Sequence, residues 1–432
     1  MAKRRIFDEL MEGVAAMQGQ REGKITLNTR TVQSIHTFLD YCQHHQSEML
    51  ALLQRMVEIE SPSDDKAALD RMGEFLGREF EQIGGKITFD QQKEAGNHLK
   101  AEFGGGGKGK PVLLLGHFDT VWPMGTLKLP HHAQKARASG TPAGMPFRID
   151  SGRAFGPGVY DMKAGITMMI FALRALQAEA GAEARGKGHR PVTVLLDTDE
   201  EVGSTTGRPL VEATARDCEA VLVLEPSQGP KGFLKTSRKG VGDITIRVRG
   251  RASHAGVDFE KGRSAIVELA RQLLEVVKFT DLDRGITINP GVIQGGTRSN
   301  VVAAEAWAEV DLRIARAADA AELEQRFRAL KPFDPDCTLE ISGGINRPPM
   351  ERTEGTVRLF RIAQELGRAI GMEVQESSTG GGSDGNFTSA LGIPTLDGLG
   401  ALGEGAHASN ESVVIEELPR RTALLAGLLQ SI

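Results

Sequence analysis

Three short apolar runs in this chain each end in polar side chains suited to chemistry. Residues 112–115 lead into Gly116-His117-Phe118-Asp119-Thr120, 192–196 into Asp197-Thr198-Asp199-Glu200-Glu201, and 221–224 into Glu225-Pro226. Gly156-Pro157-Gly158-Val159-Tyr160-Asp161 opens a helix expected from about Lys163, and Gly405-Ala406-His407 follows a late strand and loop. Imidazoles and carboxylates without a thiolate form a donor set for zinc, cobalt or manganese. Five such ligands, His117, Asp161, Glu201, Glu225 and His407, give each of two ions three protein ligands only when one carboxylate bridges. That leaves each ion an open position for water. Asp119, two residues beyond His117 on the same side of an extended chain, is placed to orient the ligand imidazole. Glu200, beside Glu201, is the expected general base toward metal-activated water.

Each of these residues alone has a plainer reading. A histidine after a strand is most often a loop residue, and an acidic run such as 197–201 is most often solvated or caps a helix. Their joint placement at strand ends, where open α/β sheets bind ligands, carries the metal reading. His36, His44, His45, His98, His131, His132 and His189 have no such company and are read as structural or surface residues. Residues 104–110 nearly spell a phosphate-binding loop, but Pro111 stands in place of the magnesium-binding hydroxyl and a strand, not a helix, follows. A hairpin turn is expected there.

The elements that must position these groups alternate. A helix is expected over 34–60 and a second from the Ser61-Pro62-Ser63-Asp64 cap to Gly84-Gly85. Strands follow at 86–90, 98–103 and 112–115, then a helix from Lys163, a strand at 192–196, a helix at 206–214 and a strand at 221–224. Runs 112–115 and 192–196 are apolar on both faces, as strands covered by helices on both sides must be, so the fold class is α/β. Near Lys235 the style changes. Residues 242–249 and 304–314 alternate strictly, as in sheets with one solvated face, and 242–249 is expected to be an edge strand whose pairing with a second copy would cover its backbone. Between them Ile266, Leu269, Ala270, Leu273, Leu274 and Val277 mark an amphipathic helix, and another spans about 318–330. The first style then returns with a helix near 355–370, strands at 373–377 and 394–396, and a last helix from Glu416. The expected organisation is an N-terminal extension (1–33), a catalytic domain in two parts (34–230 and 342–432) and an inserted α+β domain (231–341).

With 432 residues the chain is long enough for a large α/β unit plus an insertion. Acids exceed bases by five and are scattered, which argues against nucleic acid or a polybasic membrane patch. The longest dense apolar stretch, 166–173, is far short of a membrane span. Asp8 and Glu9 stand where a signal peptide would be apolar, so a cytoplasmic location is expected. Cys42, Cys218 and Cys337 are too few and too scattered for a disulfide framework or a Cys-based metal knuckle.

Taken together, the motifs resemble the co-catalytic dinuclear zinc peptidase and aminoacylase superfamily, which includes aminoacylases, succinyl-diaminopimelate desuccinylases and acetylornithine deacetylases. The likeness rests on 116–121, 156–165, 199–204 and 224–226, on Ala252-Ser253-His254-Ala255-Gly256 and Arg298-Ser299-Asn300-Val301-Val302, and on Gly380-Gly381-Gly382-Ser383-Asp384 with His407. It runs in order from about residue 45 to the C-terminus and is most similar to glutamate carboxypeptidases through 379–384 and 407–421. The resemblance implies a catalytic domain with a central mixed, mostly parallel sheet and a ferredoxin-like insert serving as lid and dimerisation domain. It implies two Zn2+ per chain, with Co2+ or Mn2+ as possible substitutes. Asp161 would bridge them, with Glu201 and His407 completing one site and His117 and Glu225 the other. A cis peptide after Asp161 is implied too, as is a role for His254 as donor to the tetrahedral oxyanion, often in the partner subunit of a homodimer. Arg298, Asn300 and Arg347 are candidates for a substrate carboxylate, because a guanidinium offers a bidentate fork; Gly381 and Gly382 are further substrate-binding candidates. The implied activity is hydrolysis of the amide bond to a C-terminal amino acid, in a small peptide or N-acyl amino acid with a free carboxylate. The alternatives are an N-acyl-amino-acid deacylase or desuccinylase and, from another class, a non-catalytic binding protein. The last would lack a ligand or Glu200, and none is missing.

Overall fold

The computed structural model describes residues 27–128, 144–182 and 189–432. Residues 1–26 of the expected extension, and His131 and His132, lie outside the described residues. In chain order the elements are α1 (Thr29–His44), α2 (Gln46–Glu58), α3 (Lys66–Gln82), β1 (Lys86–Asp90), β2 (His98–Phe103), β3 (Val112–His117), β4 (Arg148–Asp150), β5 (Arg153–Phe155), α4 (Ala164–Ala182), β6 (Val192–Asp197), α5 (Gly207–Arg216), β7 (Ala220–Val223) and β8 (Leu234–Arg238). The insert supplies β9 (Gly240–Arg249), α6 (Ala265–Val276), β10 (Thr287–Gly295), β11 (Glu305–Ile314), α7 (Ala318–Arg328) and β12 (Thr338–Arg347). The chain ends with α8 (Glu354–Ala369), β13 (Glu376–Thr379), α9 (Gly385–Ala390), β14 (Thr395–Leu396), β15 (Gly403–Glu404), β16 (Ser412–Val414) and α10 (Glu417–Ser431). Organised chain begins before residue 34, because the Asn28 side chain caps α1 by accepting from the Thr31 amide at 2.9 Å. The helix expected over 34–60 is two helices, broken at His45.

The central sheet runs β1-β2-β6-β3-β7-β14, with β6, β3, β7 and β14 parallel and β1 and β2 antiparallel at one edge. Its apolar strands divide their side chains between two cores. Val112 and Leu114 join the core shared with α1–α4, α8 and α10, whereas Leu113 and Leu115 join a smaller one with Val211 of α5 and Phe387 of α9. Residues 104–110 are not a hairpin turn. The strands they join, β2 and β3, are separated by β6, so the glycines cross over the approach to β6, and Gly107 donates to the His189 carbonyl at 3.0 Å.

The insert forms its own antiparallel sheet, ordered β10-β11-β9-β12, with the β-α-β-β-α-β chain order of a ferredoxin-like unit. Its core sets Ile244, Ile246, Val248 and the alternate residues of β11 against Leu269, Val276, Leu323 and Phe327. Two expectations are corrected here. The 242–249 segment is no edge strand: β9 is flanked by β11 and β12, and the edges are β10 and β12. Strand order depends on how the crossovers fold, which alternation does not report. The apolar stripe of α6 is also only partly its buried face: Leu269 is buried and Leu273 packs against the insert core, while the rest of the stripe is exposed. Ala265, Glu268, Leu269, Gln272 and Val276 face the sheet, while Ile266, Val267, Leu274 and Val277 are exposed. Buried Gln272 donates to Glu268 Oε1 and to the Lys331 carbonyl, and Glu268 accepts from the Phe333 and Asp334 amides, so hydrogen bonds engage both polar residues of the inner face, with Gln272 Oε1 left without a partner.

Candidate metal centre

The five candidate ligands converge beyond the carboxyl ends of the parallel strands. His117 ends β3, Glu201 lies in the short turn Glu200–Val202 after β6, and Glu225 follows β7. Asp161 is carried on the turn entering α4, joined to Met162 by a cis peptide. Gly165, one residue into that helix, allows the approach: a Cβ there would overlap the Leu224 carbonyl oxygen, and Leu224 precedes Glu225. His407 comes from the loop between β15 and β16.

The Asp161 carboxylate is divided between the two imidazoles. Its Oδ1 lies 3.3 Å from His117 Nε2, and its Oδ2 lies 3.5 Å from His407 Nε2. Glu225 Oε1 stands 3.4 Å from His117 Nε2, and Glu201 Oε2 stands 3.1 Å from His407 Nε2. Two ligand atoms of one tetrahedral zinc, each at about 2.0–2.2 Å, are about 3.3–3.5 Å apart, so the donors are spaced as edges of two coordination shells sharing Asp161. The charge balance fits cations as well. Burial opposes protonation of His117, yet Asp119, Asp161 and Glu225 together raise it well above its ordinary value. Hydrogen bonds from Asp161 and Glu201 push His407 up to about 10. The carboxylates thus draw protons onto both imidazoles, an excess of negative charge that divalent ions would neutralise.

Asp119 sits where the sequence places it. His117 Nδ1 lies 3.2 Å from both Oδ1 and the carbonyl oxygen of Asp119, which leaves Nε2 for the metal side. Asp119 Oδ2 is held by Ser63 Oγ at 2.7 Å and by the Glu201 amide at 3.2 Å. Glu200 converges with His117 and Glu225 within 4.8 Å. Burial raises its carboxyl well above the usual range, Arg347 and His117 pull it down, and Glu225 and Asp384 add to the rise. An elevated carboxyl beside the candidate metal ligands is suited to taking and returning a proton.

The substrate-binding candidates fare differently. Arg347 is buried, and its Nη2 donates to Glu200 Oε1 (2.9 Å), the Glu200 carbonyl (3.0 Å), Ser204 Oγ (2.8 Å) and Asp384 Oδ1 (3.0 Å). One nitrogen of the fork, Nη2, is thus already engaged by the general-base candidate and its neighbours. Gly382 permits the arrangement, because a Cβ there would come within 2.9 Å of Arg347 Cδ. The Gly381 and Gly382 carbonyls accept from Arg238 Nη1 at 3.1 and 2.9 Å. Arg298 and Asn300 are exposed on the insert, next to the His254 loop: the Ala255 amide donates to the Asn300 carbonyl at 3.0 Å. His254 is exposed, pairs with Val301, and accepts from the Gly256 amide at 3.1 Å. Within one chain it is not brought to the cluster by any of these contacts.

Sequence reading missed three buried charged residues here. Arg238 forms a fork on Asp397 at 2.7 and 2.8 Å and approaches Glu225 Oε2 at 3.6 Å. Lys235 is buried, and burial and Arg238 lower its pKa, while Asp397, Glu225 and Asp161 oppose that. Glu411 accepts four hydrogen bonds around the Asp161 turn. None lies in an obvious motif, although an acid embedded directly before the buried strand β16 is itself a signal.

The model of peptidase family M20/M25/M40 matches residues 113–431. The chain belongs to this family. It is therefore a member of a family of metal-dependent hydrolases, and its relatives extend the match beyond that segment. It is 30% identical over 400 residues to carboxypeptidase G2 of Pseudomonas sp. (strain RS-16), covering 90% of each chain. It is 27% identical over 336 residues to the succinyl-diaminopimelate desuccinylase of Delftia acidovorans, covering 74% of this chain and 81% of that one. In fold, this M20 chain is similar to a dinuclear metal-binding M20 peptidase of Bacillus subtilis, with a TM-score of 0.62 at 16% identity over 90% of this chain and 98% of the other. Among the described residues no helix is long and apolar enough to cross a membrane.

Proposed function

We propose that the protein is a zinc-dependent amidohydrolase that releases a C-terminal amino acid from a small peptide or N-acyl amino acid with a free carboxylate, in the manner of a glutamate carboxypeptidase. The observation that carries this reading is the division of Asp161 between His117 and His407 at ligand spacing. His117, Glu225 and Oδ1 of Asp161 would hold one Zn2+, and His407, Glu201 and Oδ2 the other. Bound there, the ions supply Lewis acidity toward the amide carbonyl and acidify water. Glu200 takes a proton from the attacking water and returns it to the leaving amine as the carbon–nitrogen bond breaks. Arg347 keeps the Glu200 carboxylate in place at 2.9 Å, and Asp119 fixes the tautomer of His117.

A substrate carboxylate is supported by Lys235, a buried ammonium within electrostatic reach of Glu225 and Asp161, together with Arg298 and Asn300 on the insert. A deacylase or desuccinylase of N-acyl amino acids is the second reading, favoured by the desuccinylase among the relatives. The functional unit is a homodimer. The outer face of α6 exposes Ile266, Val267, Leu274 and Val277, and the edge strand β10 exposes Val292 and Ile293. Such a contiguous apolar face beside unpaired strand backbone favours pairing with a second copy. Three free, buried cysteines fit a cytoplasmic location.

A screen of N-acyl amino acids and dipeptides with zinc-loaded enzyme, each beside its carboxamide and with Glu200→Gln as the blank, tests the reading. Free acids are turned over at least about tenfold faster, the order expected for a lost charged contact. Equal turnover of acid and carboxamide, or hydrolysis of neither, overturns it.

A further inference from the structure

The Glu411 side chain is almost completely buried and is surrounded by donors. Oε2 accepts from Trp122 Nε1 at 2.7 Å and from the Gly158 amide at 2.9 Å. Oε1 accepts from the amides of Tyr160 at 2.9 Å and Asp161 at 3.1 Å. An ionised carboxylate offers about four acceptor positions and no donor, and here all four are taken. Three of the four donors belong to the backbone that presents Asp161.

Glu411 is also part of the loop that presents His407. The Ala408 amide donates to the Gly405 carbonyl at 2.8 Å, and the Glu411 amide to the Ala408 carbonyl at 2.9 Å, which closes the loop on itself. Gly405 and His407 both adopt left-handed backbone, with φ of 78° and 62°. The Gly156 amide reaches the Glu411 carbonyl at 3.4 Å, so main chain and side chain of one residue both grip the 156–161 turn. The two segments that must meet for Asp161 Oδ2 and His407 to stand 3.5 Å apart are therefore joined through Glu411. Lys163, whose Nζ donates to the Ile59 carbonyl, is the buried cation whose field acts with Glu60 and Glu411.

We infer that Glu411 is a positioning residue for the metal centre: its carboxylate clamps the Asp161 turn to the His407 loop and so sets the half of the centre formed by Asp161, Glu201 and His407. It touches no reacting atom. The shape-conserving change is predicted to be harmful for a specific reason. In Glu411→Gln one oxygen becomes an NH2 group facing two N–H donors, so two of the four hydrogen bonds become donor–donor contacts whichever way the amide is turned. Glu411→Asp keeps the charge but is one methylene short of donors on both sides. A merely space-filling role would make Gln nearly neutral and Asp the worse change.

This inference rests on the two-ion reading above, and the test separates the two. Wild-type and variant enzymes loaded with Zn2+ are taken through chelator competition, and the Co2+-substituted forms are compared by visible absorption. Wild type retaining fewer than two ions per chain refutes the two-ion reading itself. With two ions in wild type, Glu411→Gln is expected to weaken one ion by about 10–100-fold, the range for loss of an outer partner of a ligand. The other ion and its share of the cobalt spectrum are expected to change less, since only Asp161 of its three ligands is held by Glu411, and His117 and Glu225 are not. Two ions bound as tightly as in wild type, with an unchanged cobalt spectrum, overturn the inference, as does an equal loss of both ions. If Glu411→Gln yields no folded protein, Glu411→Asp is read by the same criteria, with the same ion expected to weaken.

Discussion

Replacing Glu200 by Gln separates catalysis from folding, and the structure sets the size of each effect. The change removes one charged acceptor from Arg347 Nη2, which keeps the Glu200 carbonyl, Ser204 Oγ and the Asp384 carboxylate at 2.8–3.0 Å. The stability cost is therefore bounded by one charge-assisted hydrogen bond, about 1.5–3 kcal/mol, and the amide oxygen of Gln still accepts. The catalytic cost is that of losing a general base, about 10²–10⁴-fold, or about 2.7–5.4 kcal/mol at 1.36 kcal/mol per decade. Glu200 is outside the five-ligand set, so two ions per chain remain bound. The assay pairs kcat and KM on the best N-acyl amino acid with metal content and a thermal melt. A folded, fully metallated variant within threefold of wild-type kcat refutes Glu200 as the base. Loss of metal along with activity would place Glu200 among the ligands instead.

Asp161→Ala removes an oxygen from each imidazole's neighbourhood and is expected to abolish tight binding of at least one ion and weaken the other; elemental analysis showing two tightly held ions refutes the bridge. Mixing inactive Glu200→Gln chains with inactive His254→Ala chains is expected to restore one working site per heterodimer, because His254 is exposed and out of contact with its own cluster. No recovered activity despite proven subunit exchange assigns His254 to its own chain or to no role. Burial pushes the Cys42 thiol up to about 12 and Cys218 up to about 11, and raises that of Cys337. Raised pKa values keep all three protonated at pH 8, so a disulfide reagent is expected to label none rapidly until the protein unfolds; rapid labelling of the native protein contradicts the packing around them.

The chemistry was legible because it sits at strand ends. Val112, Leu113, Leu114 and Leu115 announce a strand buried on both faces, and the next polar residues must emerge at its carboxyl edge, which is where His117 and Asp119 are found. Pairings between distant segments were not legible. Nothing in residues 242–249 reveals that β9 lies between β11 and β12, because alternation reports which side chains are buried and not which strand is the neighbour. The α6 stripe misled in part because Gln272 and Glu268 hydrogen-bond to one another and to nearby backbone on the buried face, which leaves Ile266, Leu274 and Val277 outside. The contacts of Arg347 and the whole part played by Glu411 were not legible, because each acts on residues far away in sequence: Arg347 on Glu200 and Asp384, and Glu411 on the Gly158–Asp161 backbone.

The last ligand also has a consequence for synthesis. His117, Asp161, Glu201 and Glu225 all precede the insert, while His407 and Glu411 follow it close to the C-terminus. A nascent chain emerging from the ribosome therefore displays four of the five proposed ligands before the segment that follows the insert is made. The segment carrying His407 leaves the exit tunnel only after the whole insert has done so. A product released before that point lacks one of the three protein ligands proposed for one ion, and the proposed clamp on Asp161, so a chain cut short by stalled translation is expected to be unable to cleave anything. Emergence of the segment that follows the insert is in this sense the event that would switch the hydrolase on.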